Sequence, residues 1–374
     1  MIRRRTSHHA RAALLAIPCL LLSCGCDTQS TGNELDTKRV LGESGTQNAQ
    51  FVYPRGTDIF EYKGTPHAII VDKTARLQLI NLESESVVGV IHTPRWDRGK
   101  PTGLTVAPSL LDATKLAIYV ADTHEFRVLV YELPLPFTTD PQPTKPDYQF
   151  GSYGEEPGQF IYPTDVAVET DGTQIVTELF VSEYGGNDRI NRFRVDRSTI
   201  PPTMVWESQI GIPGEEVDAS DGPLALARPQ SIELWTNPST NQREIILSDA
   251  SHHRIGRVTT DGQLITWYGD PLDTSDDAFR FPYGITILED NTALIAEFGG
   301  NRITNIDIES GEVLFRYGVT GRSVGQLAQP WAVGVAGDQL VILDSGNSRL
   351  QFCKPPRPLA PEYTRPSSTV GATP

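Results

Sequence analysis

The sequence predicts an all-β fold, a six-bladed β-propeller, on three observations. One three-part pattern recurs six times: a proline begins an apolar strand, an acidic residue ends the next strand, and an arginine follows. The repeats are spaced by about 50 residues, which is typical of propellers. The apolar runs are short, and no segment has a sustained helical period. The prolines are Pro54, Pro101, Pro163, Pro229, Pro282 and Pro330; the acidic residues are Asp72, Asp122, Glu183, Asp249, Glu297 and Asp344; the arginines are Arg76, Arg127, Arg189, Arg254, Arg302 and Arg349.

The third repeat shows why each part of the pattern forms a strand. Residues 162–168, 179–183 and 189–193 are β-branched or aromatic runs bounded by Gly, Asn and Asp, as expected for strands separated by turns. The Asp171-Gly172 pair favours a turn between the first two. Proline suits the first residue of a strand because it lacks an N–H to donate to the sheet.

A strand near the N-terminus is predicted to complete the last blade. Gly42 precedes Pro54 by the same 12 positions that separate a glycine from the proline in two later repeats. The sixth repeat has no fourth strand of its own, because the chain becomes proline-rich after it. We therefore expect residues 38–42 to form the outer strand of the sixth blade and so close the ring. The predicted propeller spans residues 38–353, and residues 354–374 form an irregular or disordered tail rich in Pro, Ser and Thr.

Residues 1–23 have the features of an export signal. A basic start is followed by an apolar run that is too short to span a bilayer as a helix. The run ends in Leu21-Leu22-Ser23-Cys24, which resembles a bacterial lipobox, so Cys24 is the predicted lipidation site and residues 24–37 a flexible tether. Cys26 is a poorer candidate, and ordinary soluble secretion is the alternative. Lipidation implies an extracytoplasmic protein of the cell envelope, at the outer membrane or periplasmic face if the cell has two membranes.

Composition narrows the expected partners. The 374-residue chain has a formal net charge of −15, which disfavours binding to phosphate backbones and therefore to nucleic acid. Of four cysteines only Cys353 lies near the predicted blades, so neither a disulfide framework nor a cysteine-rich metal site is expected. We expect a monomer whose contact with the membrane is through the lipid anchor only.

Several phrases resemble NHL repeats. They include the run Gly158-Gln159-Phe160-Ile161-Tyr162-Pro163-Thr164-Asp165-Val166-Ala167-Val168, the run Tyr119-Val120-Ala121-Asp122 and the run Gly300-Asn301-Arg302-Ile303. The resemblance covers residues 39–352 and implies an NHL-like six-bladed propeller. It does not specify an activity, because the family includes protein- and RNA-binding modules, sensing domains and relatives of a zinc-dependent amidating lyase.

The six repeated carboxylates are interpreted as turn scaffolding with the paired arginines. A ligand site combines different groups from different blades, whereas a structural role repeats the same carboxylate and arginine in every blade. Metal binding is the weaker alternative. No metal or other cofactor is predicted, although a divalent cation is possible because the lyase relatives hold zinc through histidines of different blades. The candidate metal ligands are Glu183, Asp249, Glu297, His124 and His253.

The residues directly after the six prolines differ from blade to blade. They begin the innermost strands, so they should ring one mouth of the central channel. This ring predicts a mixed polar and aromatic site, and aromatic residues in two Gly-Gly turns extend it. The alternative is a channel plugged by its own side chains. The candidates are Arg55, Thr102, Thr164, Gln230, Tyr283 and Trp331, with Tyr184 and Phe298 from the turns.

The favoured function is a lipid-anchored binding module that recognises a protein, peptide, carbohydrate or small polar ligand at the channel mouth. No nucleophile triad, phosphate-binding loop or dinucleotide fingerprint is present. The alternative is a metal-dependent lyase or lactone hydrolase working at the channel. A third hypothesis is a structural envelope protein that uses its outer faces for assembly.

Overall fold

The computed structural model describes residues 34–95, 97–98, 100–138, 143–214 and 224–362. The predicted export signal, Cys24 and nearly all of the tether lie outside these residues. The described chain is almost entirely β-structure, and its helices are three single 3₁₀ turns, Thr123–Glu125, Ala250–His252 and Ser345–Asn347. None of these turns has the length or apolar character needed to cross a membrane.

Six four-stranded antiparallel sheets and two short parallel pairs account for the strands of the described residues. In chain order the strands are β1 (Asp36–Leu41), β2 (Glu43–Ser44), β3 (Gln50–Phe51), β4 (Pro54–Tyr62), β5 (Thr65–Asp72), β6 (Arg76–Asn81), β7 (Ser86–His92), β8 (Leu104–Pro108), β9 (Leu116–Asp122), β10 (Arg127–Glu132), β11 (Tyr148–Phe150), β12 (Tyr162–Thr170), β13 (Val176–Tyr184), β14 (Arg189–Asp196), β15 (Thr203–Ile210), β16 (Ile212–Pro213), β17 (Ala225–Leu226), β18 (Pro229–Thr236), β19 (Arg243–Asp249), β20 (Arg254–Thr259), β21 (Leu264–Tyr268), β22 (Pro282–Ile287), β23 (Thr292–Glu297), β24 (Arg302–Asp307), β25 (Val313–Tyr317), β26 (Pro330–Ala336), β27 (Gln339–Asp344) and β28 (Arg349–Lys354).

The six sheets form a ring, which confirms the predicted six-bladed propeller. Blades 1 to 5 consist of β4–β7, β8–β11, β12–β15, β18–β21 and β22–β25, and blade 6 contains β26, β27 and β28. The first strand of each blade contacts the first strand of the next, and β26 contacts β4. Six innermost strands therefore surround one central channel.

The outer position of blade 6 is occupied by β1. This strand pairs antiparallel with β28, in a register that places Leu41 opposite Leu350 and Asp36 opposite Lys354. Leu41 is buried in the cluster between blades 6 and 1. Strands from the two ends of the propeller thus share one sheet. β1 starts at Asp36, two residues before the predicted Lys38.

The core is divided among the blade interfaces. Six buried apolar clusters each join mainly two neighbouring blades. The middle strands are covered on both faces, so β9 is a continuous apolar run rather than an alternating one. Burial at each interface removes apolar surface from water and holds every blade to the next.

In each blade the repeated acid and arginine form a buried ion pair, with N–O distances of 2.7 to 3.0 Å. In five blades the carboxylate also accepts the backbone N–H of the residue two positions before the proline, as Glu183 does from Ile161 at 2.6 Å. These contacts tie the loop that enters a blade to the turn between its second and third strands.

Two local details differ from the repeat pattern. In blade 2 the innermost strand begins at Leu104 rather than at Pro101, although the Thr102 N–H still donates to the Ala121 carbonyl at 3.2 Å. The segment 355–362 has little regular structure and packs on the propeller: the Glu289 N–H donates to the Pro361 carbonyl at 2.9 Å. This part of the predicted tail therefore belongs to the folded body.

Candidate functional site

The loops that enter the blades and the turns that follow the second strands lie at the same end of the propeller. The antiparallel register places the proline that starts a blade opposite the acidic residue that ends its second strand, as in Pro54 opposite Asp72. Side chains next to the prolines and side chains in the turns after the acids therefore meet at one face. This face is the predicted channel mouth.

An aromatic and arginine cluster occupies this mouth. Tyr283 stacks on Phe298, with ring centroids 4.4 Å apart, and Trp331 meets the Tyr283 ring edge-on at 4.9 Å. Ring pairs at these separations and angles are favourable beyond the area that they bury. We call the set the mouth cluster; its members are Tyr53, Arg55, Tyr184, Arg228, Tyr283, Phe298 and Trp331.

Both arginines of the mouth cluster lie against aromatic rings. The Arg55 guanidinium carbon is 5.7 Å from the Trp331 ring centroid. The Arg228 carbon is 4.8 Å from the ring of Tyr184 and 5.3 Å from that of Tyr283. Each cation thus faces the electron-rich side of a ring, which stabilises the charge without neutralising it.

Burial lowers the pKa of the Arg55 guanidinium, and the positive charge of Arg228 acts in the same direction. The Nε of Arg55 is buried and has no hydrogen-bond partner among the described residues. Arg228 donates from its Nε to the Gln230 Oε1 at 3.1 Å. Two neighbouring cations therefore lie at the mouth with few hydrogen-bond acceptors around them.

Two of the predicted mouth residues, Thr102 and Thr164, form hydrogen bonds within the scaffold. Thr102 and Thr164 are buried, and their hydroxyls donate across blade boundaries, to the carbonyls of Thr164 at 3.0 Å and of Pro229 at 2.7 Å. Gln230 is also buried but lines the channel beneath the arginines. We therefore assign the two threonines to joining blades, whereas Arg55, Tyr283, Trp331, Tyr184 and Phe298 lie together at the mouth.

Sequence reasoning missed Tyr53 and Arg228. It considered the residue after each proline, while these two stand immediately before one. Both have left-handed backbone, with φ of +49° for Tyr53 and +62° for Arg228. A large side chain in this conformation is uncommon and marks a position where the surrounding structure requires it. The varied large residues before the prolines were the signal that could have found them.

Below the mouth, the channel narrows to a cavity of about 50 Å³, which holds at most a few water molecules. Asp58, Asp165 and Glu233 are among its lining residues. The Asp58 carboxylate accepts the Val106 N–H of the next blade at 2.6 Å. Asp165 accepts the Ser231 hydroxyl at 2.9 Å, so Asp58 and Asp165 connect neighbouring blades.

The carboxyl group of Asp165 in the channel has a strongly raised pKa. Burial raises its pKa to about 7, and the negative charge of Glu233 adds to this rise. Three donors oppose the shift, from the Ile232 N–H, the Ser231 hydroxyl and the Val166 N–H. The carboxyl group therefore changes charge near neutral pH inside the channel.

The candidate metal ligands are tied to other partners. Glu183, Asp249 and Glu297 are fully buried and paired with arginines. His253 accepts the Phe281 N–H at its Nδ1 at 3.0 Å, and the ring of His124 lies 5.4 Å from that of Tyr162. Within the described ranges no group of three or more His, Cys, Asp or Glu side chains is placed to hold a metal ion.

His252 directly precedes the candidate metal ligand His253 in the sequence. It is only 2% exposed, and its Nδ1 lies 2.8 Å from the Asp249 carboxylate that also binds Arg254. The 3₁₀ turn Ala250–His252 directs the ring into the blade. His252 is therefore part of the scaffold of blade 4.

Comparison with solved structures supports the fold. The chain is similar to a structural genomics protein of unknown function from Bacteroides thetaiotaomicron, with a TM-score of 0.57 and 17% identity over 86% of this chain and 75% of that one. It is also similar to virginiamycin B lyase from Staphylococcus aureus, with a TM-score of 0.49 and 16% identity over 80% and 94% of the two chains. A streptogramin B lyase gives a TM-score of 0.46 and 18% identity over 85% and 87%.

No family model and no curated protein matches the sequence. The likeness to solved structures is below 20% identity in each case. The likeness to the Bacteroides thetaiotaomicron protein, with a TM-score above 0.5, supports the propeller fold, and the activity has to be argued from the site. The chain is a six-bladed β-propeller.

Proposed function

We propose that the protein is a lipid-anchored binding propeller of the cell envelope that recognises a small ligand or a peptide at the mouth cluster. The observation that supports this most is the convergence of two arginines and several aromatic rings at one end of the channel. Aromatic rings and arginine are the side chains that contribute most often to the energetics of recognition.

The surrounding structure suits recognition. The mouth cluster is built on the starts of innermost strands and on short turns, which the buried ion pairs fix to the blades. Because these side chains are already held in place, less conformational entropy is lost when a ligand binds. The motifs that resemble NHL repeats and the lipobox-like Cys24 support the proposed family type and envelope location.

A defined panel of sugars, short peptides, carboxylic acids and amines tests the site by thermal shift and calorimetry. We expect at least one class to bind the wild type, and the Trp331→Ala and Tyr184→Ala variants to bind it more weakly. Loss of an aromatic anchor can cost more than about 2 kcal/mol, roughly a 30-fold change in Kd. The Phe137→Ala variant, which alters a half-exposed aromatic outside the cluster, should bind like the wild type.

Two outcomes of these experiments would contradict the proposal. Binding that survives both Trp331→Ala and Tyr184→Ala would place the site elsewhere. Stoichiometric divalent metal in the purified protein, whose removal by a chelator abolishes a hydrolytic or lyase activity, would favour the enzyme hypothesis instead.

A further inference from the structure

The arginines of the mouth cluster differ from the other buried arginines in their partners. Neither Arg55 nor Arg228 forms an ion pair with a carboxylate of the described chain, whereas each blade's scaffold arginine does so within 3.0 Å. Among the described arginines that are not exposed, Arg55 is the one whose side chain has no hydrogen-bond acceptor. Its Nε is buried without a partner.

This arrangement is unfavourable without a further group. Two cations lie close enough for the charge of Arg228 to oppose that of Arg55, in a chain whose formal net charge is −15. Acidic side chains outnumber basic ones, yet none pairs with these two among the described residues. Partly buried cations are costly unless an anion or hydrogen-bond acceptors compensate them.

We infer that the mouth cluster binds a carboxylate, with Arg55 and Arg228 as its cationic ligands and the neighbouring rings as the surface for a flat apolar group beside it. The inference rests on the proposed function and names its ligand class. The shared chemistry is that of an aryl or arylalkyl carboxylic acid or of a peptide C-terminus with an aromatic last residue.

The geometry of the arginines suits a carboxylate. A guanidinium that lies over a ring keeps its N–H edge available, and that edge matches the two oxygens of a carboxylate. The hydroxyls of Tyr184 and Tyr283 make no hydrogen bond within the described residues, so they can add donors at the same place.

The channel beneath sets the position of the ligand. A cavity of about 50 Å³ lined by Asp58, Asp165 and Glu233 is too small for an aromatic ring. The carboxylates that line it also repel the carboxylate of the ligand. The ligand is therefore held at the mouth, with its charge at the arginines. Tyr283 and Trp331 are buried, so its ring lies against the half-buried Tyr53, Tyr184 and Phe298.

Calorimetry with matched acids and amides tests the inference on the full mature protein. The probes are phenylacetate with phenylacetamide, the dipeptide Gly-Phe with its C-terminal amide, and inorganic phosphate. We expect at least one acid to bind more than about tenfold tighter than its amide, since a hydrogen bond to a charged group contributes more than one decade in affinity. Comparison of the two acids distinguishes a free small acid from a peptide terminus.

Variants assign the effect to the arginines. Arg55→Gln and Arg228→Gln should each remove the preference for acid over amide, and Arg55→Lys should restore only part of it because an ammonium cannot bind in bidentate fashion. Arg194→Gln changes the net charge equally at an exposed ion pair with Glu207 and should have no effect. The melting temperature of Arg55→Gln without ligand should change little, because the variant loses only the contact with the Trp331 ring and no ion pair or hydrogen bond.

Three results would overturn the inference. They are equal binding of acid and amide, tighter binding of phosphate than of either acid, and absence of acid binding at millimolar concentration. If sugars or neutral compounds still bound and depended on Trp331, the proposed recognition site would stand and only its anionic ligand would be wrong. If the acid preference survived both arginine variants, the two cations would not be the binding groups.

Discussion

In five of the six blades, one carboxylate binds its arginine and also the loop that enters the blade. In blade 5, Glu297 binds Arg302 at 3.0 Å and accepts the Arg280 N–H at 2.8 Å, and it also accepts the Thr304 hydroxyl. Such a buried charge is stable only while these donors remain. The repeated acids are thus explained by the hydrogen bonding of every blade rather than by a shared ligand.

Removing one of these arginines should be strongly destabilising. Arg302→Gln leaves the fully buried Glu297 carboxylate without its charged partner, so the free energy of unfolding should fall by about 3–5 kcal/mol. Arg194→Gln, at an exposed pair, should change it by less than about 1 kcal/mol. Urea denaturation of both variants checks the difference, and equal effects would contradict a scaffold role for the ion pair.

The channel carboxyl of Asp165 should make stability depend on pH. Its pKa of about 7 in the folded protein is above the ordinary value of 3.8. The folded state therefore binds a proton more tightly than the unfolded chain. Stability from this group is complete below the ordinary pKa and is lost as pH rises through about 7.

Replacing Asp165 by Asn should flatten this dependence. The free energy of unfolding of Asp165→Asn, relative to that of the wild type, should be higher at about pH 8 than at about pH 5. The reason is that the neutral amide avoids the buried charge. Denaturation at the two pH values measures the change. Asp338→Asn, at an exposed site, provides the control, and an identical pH dependence in wild type and Asp165→Asn would show that the carboxyl does not titrate in this range.

Among the elements, β1 links the start of the propeller to its end. Its pairing with β28 covers an edge that would otherwise expose unpaired backbone groups. Gly42 follows the strand with φ of +91°, and a Cβ there would come within 2.2 Å of the Phe51 ring. The close packing of the turn on Phe51 explains why glycine stands at this position.

Deleting residues 36–44 should lower the melting temperature sharply, because blade 6 would lose its outer strand. A milder test is Leu41→Ala, which removes a buried side chain from the cluster between blades 6 and 1 and should cost about 2–5 kcal/mol. Val324→Ala, at a side chain that is 61% exposed, is the control. An unchanged melt after the deletion would refute closure by this strand.

The elements were predictable from the sequence where a periodic pattern encodes them. The apolar runs and the prolines marked five of the six innermost strands at their first or second residue. The arginines marked the first residue of the third strand in each blade. The site was predictable only in part. Whether a hydroxyl such as that of Thr164 faces a ligand or the next blade depends on spatial neighbours that lie 65 residues away. The left-handed residues before the prolines required backbone angles that spacing does not reveal.

For the whole molecule, stability is spread over six similar interfaces, while the groups that could recognise a ligand are gathered at one end. The repeated residues keep their partners inside the scaffold. The residues that vary between blades, at the prolines and in the turns, supply the rings and arginines of the mouth. This separation lets the ring remain rigid while its loops specify a ligand.

A crystal structure grown with the tightest-binding acid of the tested pairs is the most direct test of the mouth cluster as the ligand site. The account predicts a carboxylate within hydrogen-bond distance of both Arg55 and Arg228, with the ligand's ring against the half-buried Tyr184 and Phe298. Ligand density on an outer face of the blades, or arginines turned away to carboxylates of the channel, would contradict it.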